Sequence, residues 1–66
     1  MKRKLRKDVR CYFDKSRFAS IPAGDIVEVT PIIIDGQVRV HWSGSTEGMR
    51  FVMVDENELE SCSDPI

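Results

Sequence analysis

Few side chains in this sequence could do chemistry: two cysteines, Cys11 and Cys62, one histidine, His41, five aromatic rings, and a crowd of lysines and arginines near the start. Two thiols and one imidazole, scattered along the chain, do not make a zinc-ligand pattern, so no metal is expected. General acid–base work by His41 would need a pocket, a shifted pKa and a second positioned group. One residue before Trp42 on a strand, it reads as a polar surface residue instead. Asp55, Glu56, Glu58 and Glu60 are spaced for a solvated turn rather than a site. No catalytic residue, metal ligand or cofactor site is expected, and the chain does not read as an enzyme.

The rings divide by neighbourhood. Trp42 and Phe51 are expected to fill the core, because a small domain must build its core from few large residues. Tyr12 is weighed between the core and, with Trp42, a barrel-mouth cage for a methylated ammonium. Phe18 is likewise weighed between core and surface, and of the five rings it is the one most apt to be exposed, because it lies in a polar loop beside Lys15 and Arg17. Lys2, Arg3, Lys4, Arg6 and Lys7, joined by Lys15, Arg17 and Phe18, have the ingredients of a nucleic-acid surface: cations for phosphates and a ring for stacking.

The net charge of −1 hides a strong asymmetry. Residues 1–17 carry eight Lys/Arg against two Asp, and residues 47–66 carry six Asp/Glu against Arg50 alone. If the first and last strands are neighbours, the two ends screen each other, and that is the expectation preferred here over two separate charged partners. The basic opening is followed by no apolar stretch, so it does not read as a secretory signal. No apolar run is long enough to span a membrane. A cytoplasmic setting is the default, and there both cysteines are expected as free thiols.

Positioning these residues falls to short strands. Sixty-six residues fit one domain with a thin core. Residues 1–8 read as a basic N-terminal arm, 9–62 as a single small β-barrel domain and 63–66 as a tail. Val9-Arg10-Cys11-Tyr12-Phe13 is the first strand candidate, and Asp14 to Ser20 a polar loop. Ile26–Ile34 and Gln37–Trp42 flank Asp35-Gly36, a preferred two-residue hairpin turn. That turn pairs Ile34 with Gln37, Ile33 with Val38, Pro31 with Val40 and Val29 with Trp42. Pro31 belongs at an edge or a bulge. A bulge is favoured there, and it would turn Ile32 and Ile34 inward and Ile33 outward. Ser43 to Gly48 reads as a flexible loop and Met49–Val54 as a further strand. One helical turn follows over residues 55–60, capped by Asp55 with Leu59 inward.

Gly24-Asp25-x-Val27-x-Val29, Gly36-x-Val38-x-Val40-x-Trp42, Phe51-Val52 and the late Leu59 together resemble the Src-homology-three-like small barrels. The resemblance is at the level of the fold. It implies an all-β, five-stranded, strongly bent barrel with one short helical turn. The paired tryptophans and the tyrosine-rich stretch of that group's peptide binders are missing, so their function does not follow. The expected function is a non-catalytic interaction module, an accessory or adaptor that binds another protein or a copy of itself. Ile32, Ile34, Arg39 and His41 are its candidate contact patch. The alternatives are a nucleic-acid-binding barrel using the basic arm, and a subunit of an enzyme whose site forms only on oligomerisation.

Overall fold

The computed structural model describes residues 1–45, 48 and 50–66. Over these the chain forms β1 (Lys2–Leu5), β2 (Val9–Tyr12), β3 (Phe18–Ile21), β4 (Ile26–Ile34), β5 (Gln37–His41), β6 (Phe51–Asp55), α1 (Glu56–Cys62) and β7 (Ser63–Pro65). All the strands pair antiparallel in one sheet of order β3-β2-β6-β5-β4-β1-β7. The mostly β expectation holds, but the five-stranded barrel is corrected. The sheet has seven strands, and its order ends at β3 and β7 without closing.

The two additional strands come from segments whose polarity disguised them. Residues 2–5 are not an arm: they pair with β4 on one side and β7 on the other. Leu5 is buried and Arg3 half-buried, whereas Lys2 and Lys4 are exposed. This is the period-two alternation of a strand, with an arginine stem doing the work of an apolar side chain. The stretch expected as a loop before Ser20 yields β3, which pairs with β2 from Val9↔Ile21 to Tyr12↔Phe18 and buries Ile21 completely. The ordered sheet thus runs from residue 2 to residue 65, beyond the expected bounds of 9 and 62.

A single sheet makes a core only by bending over itself. Leu5, Val9, Ile21, Val27, Val40 and Val54, from six different strands, meet in one buried cluster with Leu59 of α1. Asp55 caps α1 by accepting a hydrogen bond from the Glu58 N–H at 2.9 Å, as its position predicts. Among the described residues no helix is long and apolar enough to cross a membrane.

The β4–β5 hairpin turns as its sequence predicts, with positive φ at both Asp35 (51°) and Gly36 (78°) and the pairs Ile34↔Gln37 and Ile33↔Val38. Beyond them the register shifts, and Val29 pairs with Val40 rather than with Trp42. Three residues of β4 (30–32) stand opposite Arg39 alone. The Thr30 hydroxyl donates to the Arg39 carbonyl at 2.8 Å across this bulge. Two extra residues preserve strand parity where one would invert it. Ile32 and Ile34 therefore do not turn inward, and Ile33 keeps the parity of buried Val38. All three remain exposed, at 40, 57 and 59%.

Two further expectations change. Phe51 is not in the core; it pairs with His41 on the outer face, while its neighbour Val52 pairs with buried Val40. The strand expected over Met49–Val54 begins at Phe51. Met49, and Thr46 and Glu47 of the expected loop, lie outside the described residues.

Candidate functional site

Three places collect the residues singled out by type and spacing. The first is the seam between β1 and β7. The Arg3 guanidinium donates to the Ser63 hydroxyl at 2.7 Å and to the Ser63 carbonyl at 2.8 Å. Arg6 donates to the Ser61 carbonyl at 2.7 Å and pairs with Asp64 at 3.0 Å. Ser63, fully buried, donates a hydrogen bond from its own hydroxyl to the Leu59 carbonyl. The Met1 ammonium meets Glu28 at 3.0 Å. First and last strands are neighbours, and among the described residues the Arg6–Asp64 ion pair joins the basic start to the acidic end. Arg3 and Arg6 are spent on this seam, and only Lys2, Lys4 and Lys7 of the basic run project into solvent without an ion pair among the described residues.

The second place is the tip of the β4–β5 hairpin. A groove of about 390 Å³ lies between the bulged half of β4 and α1, walled by Val29, Pro31, Ile33, Val38 and Leu59. Glu56 and Glu60 stand on its α1 side and Arg3 on its β1 side. Arg3, hydrogen-bonded to Ser63 and to the Glu60 carbonyl, and the two glutamates have no ion pair among the described residues, so these three lining charges sum to −1. The groove is open because β1 ends too soon: pairing of Lys2 with Glu28 puts Met1 opposite Val29, and β1 offers nothing to the rest of β4. Ile34, next to a two-residue turn, bonds to Gln37, so Ile33 aims its own N–H and C=O at the vacant edge.

The third place is the outer face of β3, β2, β6 and β5. Tyr12 lies opposite Phe18 on one side and Met53 on the other, and Met53 lies opposite Arg39. The Arg10 guanidinium sits over the Phe18 ring at 4.7 Å, and that of Arg39 over the Phe51 ring at 4.3 Å. The His41 ring meets Phe51 edge-on at 5.0 Å, and Arg39 Nε is buried without an acceptor among the described residues. A second groove of about 400 Å³ runs past Tyr12, Phe13, Lys15, Gln37 and Met53. Asp14, in the turn beside it, accepts from the N–H groups of Ser16 and Arg17, both at 2.9 Å, and from Arg17 Nε at 3.0 Å. These bonds, the Ser16 N–H foremost and then the Arg17 side chain, hold its carboxyl at about 2.

Phe18 is exposed, and Lys15 and Arg17 lie in the turn leading to it. They belong to the opposite end of the strand order from Lys2, Arg3 and Lys4 of β1, so the expected basic-aromatic set is divided. Of the expected contact patch, Ile34 and His41 share the outer parity with Arg39, while Ile32 lies in the bulge. Arg10 and Phe51, and Arg39 as Phe51's partner, were not legible as one site from spacing alone. Period-two alternation along Val9–Tyr12 is the signal that sends Arg10 outward. Trp42 joins no cage with Tyr12: it is buried, and its indole N–H donates to Asp25 at 2.9 Å. The Asp25–Trp42 link explains Gly44, where a Cβ would come within 3.0 Å of the indole nitrogen.

Cys11 and Cys62 are both free. Burial pushes the Cys11 thiol up from its ordinary pKa, which disfavours the reactive thiolate. Among the described residues no cluster of three or more potential metal ligands occurs. Comparison with known proteins finds no matching family model, no matching curated protein and no matching solved structure.

Proposed function

We propose that this chain is a non-catalytic interaction module, an accessory or adaptor that holds an extended segment of another protein at the tip of its β4–β5 hairpin. The observation that carries this is the coincidence of exposed Ile33, an apolar groove and a vacant strand edge at one place. A partner strand can add main-chain hydrogen bonds at Ile33 and set an apolar side chain against Val29, Val38 and Leu59. Glu56 and Glu60 favour Lys or Arg beside that apolar residue and disfavour a second copy of the same acidic rim. The hairpin, the β1–β7 contact and the helical turn before the last strand support kinship with the Src-homology-three-like small barrels. The groove proposed here rests on none of that group's peptide-binding residues. A nucleic-acid role for the basic run as a free arm is disfavoured by the commitment of Arg3 and Arg6 to the seam.

The test is selection from a random peptide library on the full chain, followed by binding to Ile33→Glu and to Glu56→Lys/Glu60→Lys. Peptides enriched in an aliphatic residue flanked by Lys or Arg, and lost on both variants while their melting temperatures hold, are the expected outcome. No enrichment, or peptides that bind both variants unchanged, would sink the proposal.

A further inference from the structure

The outer face opposite that groove has a different chemistry, and we infer that it is a binding site for single-stranded nucleic acid. Phe18 and Phe51 are 59 and 48% exposed. Each has an arginine guanidinium over its ring, 4.7 Å from the Phe18 centroid and 4.3 Å from that of Phe51. A guanidinium held over a ring is already partly ordered, and it keeps N–H donors for a ligand. β3 and β6 are two strand spacings apart, roughly 10 Å, with Tyr12 of β2 between Phe18 and Met53, and the row continues from Met53 of β6 to Arg39 of β5. Together these form a stacking platform that crosses several strands.

Electrostatics point the same way. Arg10, Lys15, Arg17 and Arg39 bring four positive charges to this face and its turn, against the carboxylates of Asp14 and Asp55, which leaves +2. Asp14 is turned back on Arg17 and its own turn, and Asp55 on the first turn of α1. Glu28, next to His41 across the strand, is matched by the Met1 ammonium. The chain as a whole carries −1, so its net charge conceals a locally cationic, aromatic surface. Cations for phosphates and rings for bases are the two requirements of single-strand recognition. A duplex keeps its bases stacked on each other and gives these rings nothing to receive.

The experiment measures anisotropy of fluorescein-labelled dT and rU oligonucleotides, and of a duplex control, against the full chain over a salt series. Expected is single-strand binding that weakens with salt with a log–log slope of about −2, as three phosphate contacts at ~0.7 each would give. Phe51→Ala and Phe18→Ala should each weaken it about 5- to 100-fold, and Arg39→Met comparably, with circular dichroism unchanged. Lys2→Ala/Lys4→Ala/Lys7→Ala and Ile33→Glu should leave it within about twofold, separating this site from the basic run and from the hairpin groove. Absence of binding at low salt, equal affinity for the duplex, or loss on the lysine variant but not on the phenylalanine variants would overturn the inference.

Discussion

The β2–β3 and β4–β5 hairpins each carry an isoleucine at a position of inner-face parity. Their fates are opposite. Ile21 of the β2–β3 hairpin pairs with Val9 and is completely buried, while Ile33 of the β4–β5 hairpin pairs with Val38 and is 57% exposed. Their turns differ in the same sense. The β2–β3 turn closes on itself through the Asp14 carboxylate, which collects the Ser16 and Arg17 N–H groups. The β4–β5 turn relies on positive φ at Asp35 and Gly36 and on a backbone bond in which the Glu56 N–H donates to the Gly36 carbonyl at 3.0 Å. What buries an isoleucine here is the number of elements stacked over it, not its own hydrophobicity. Ile21, although on the terminal strand β3, lies in the buried cluster enclosed by the bent sheet. Ile33 overhangs the point where β1 runs out, and that overhang is the proposed docking site.

The largest expected effect tests this directly. Ile21→Ala should cost about 2–5 kcal/mol, transfer and cavity terms together. A chain of this length has only about 3–10 kcal/mol in total at ~0.05–0.15 per residue, so the variant should be close to unfolding. Ile33→Ala, the same change in the other hairpin, should stay within about 0.5 kcal/mol. Urea denaturation of the pair measures both. Comparable losses would mean that the overhang is packed, and the contrast between the hairpins would fail.

Next in size is the turn itself. Gly36→Val puts a β-branched side chain where φ is 78°, a conformation that costs an L-residue about 1–2 kcal/mol. No steric neighbour lies within 4 Å of a Cβ there, so the penalty is purely backbone. A melting temperature lower by several degrees is expected, with Gly36→Asn recovering most of the loss. Should Val and Asn melt alike, positive φ is not what holds this register.

How much could be read in advance follows from these same residues. Asp35-Gly36 specifies its turn locally, so two pairs next to it were legible. Asp55 and Leu59 likewise define α1 by local rules. The bulge at Pro31 was legible in kind, but not its size, because a second extra residue depends on Thr30 reaching the Arg39 carbonyl, a contact across strands. β1 was hidden because its inward positions are Arg3 and Leu5, and Arg3 becomes an inward residue only when Ser63, opposite Leu5, comes within reach of its guanidinium. The candidate surfaces were legible as ingredients, not as assemblies. The polar loop around Phe18 singles it out as the ring most apt to be exposed without settling it, whereas Phe51 reads as core from its sequence, since only its pairing with His41 reveals which way it faces.

The smallest effect separates the turns by pH. The Asp14 carboxyl is held at about 2 in the folded chain against an ordinary 3.8. A depressed folded pKa means that the unfolded chain takes up the proton first, so the stability it contributes is fully present above 3.8. It then declines as pH falls and is gone once the pH has passed through about 2. Asp14→Asn keeps the shape and one acceptor oxygen but removes the charge. The gap in melting temperature between wild type and this variant should therefore be flat at neutral pH, narrow from about pH 4 downward and close near pH 2. Added salt should shrink it as well, because the turn is exposed and its charges are screened. The Asp35-Gly36 turn has no such carboxylate lock, and the gap between wild type and Gly36→Val should not respond to pH over the same interval. A pH-independent Asp14 gap would show that its hydrogen bonds, not its charge, order the first turn, and the two hairpins would then close by the same kind of force.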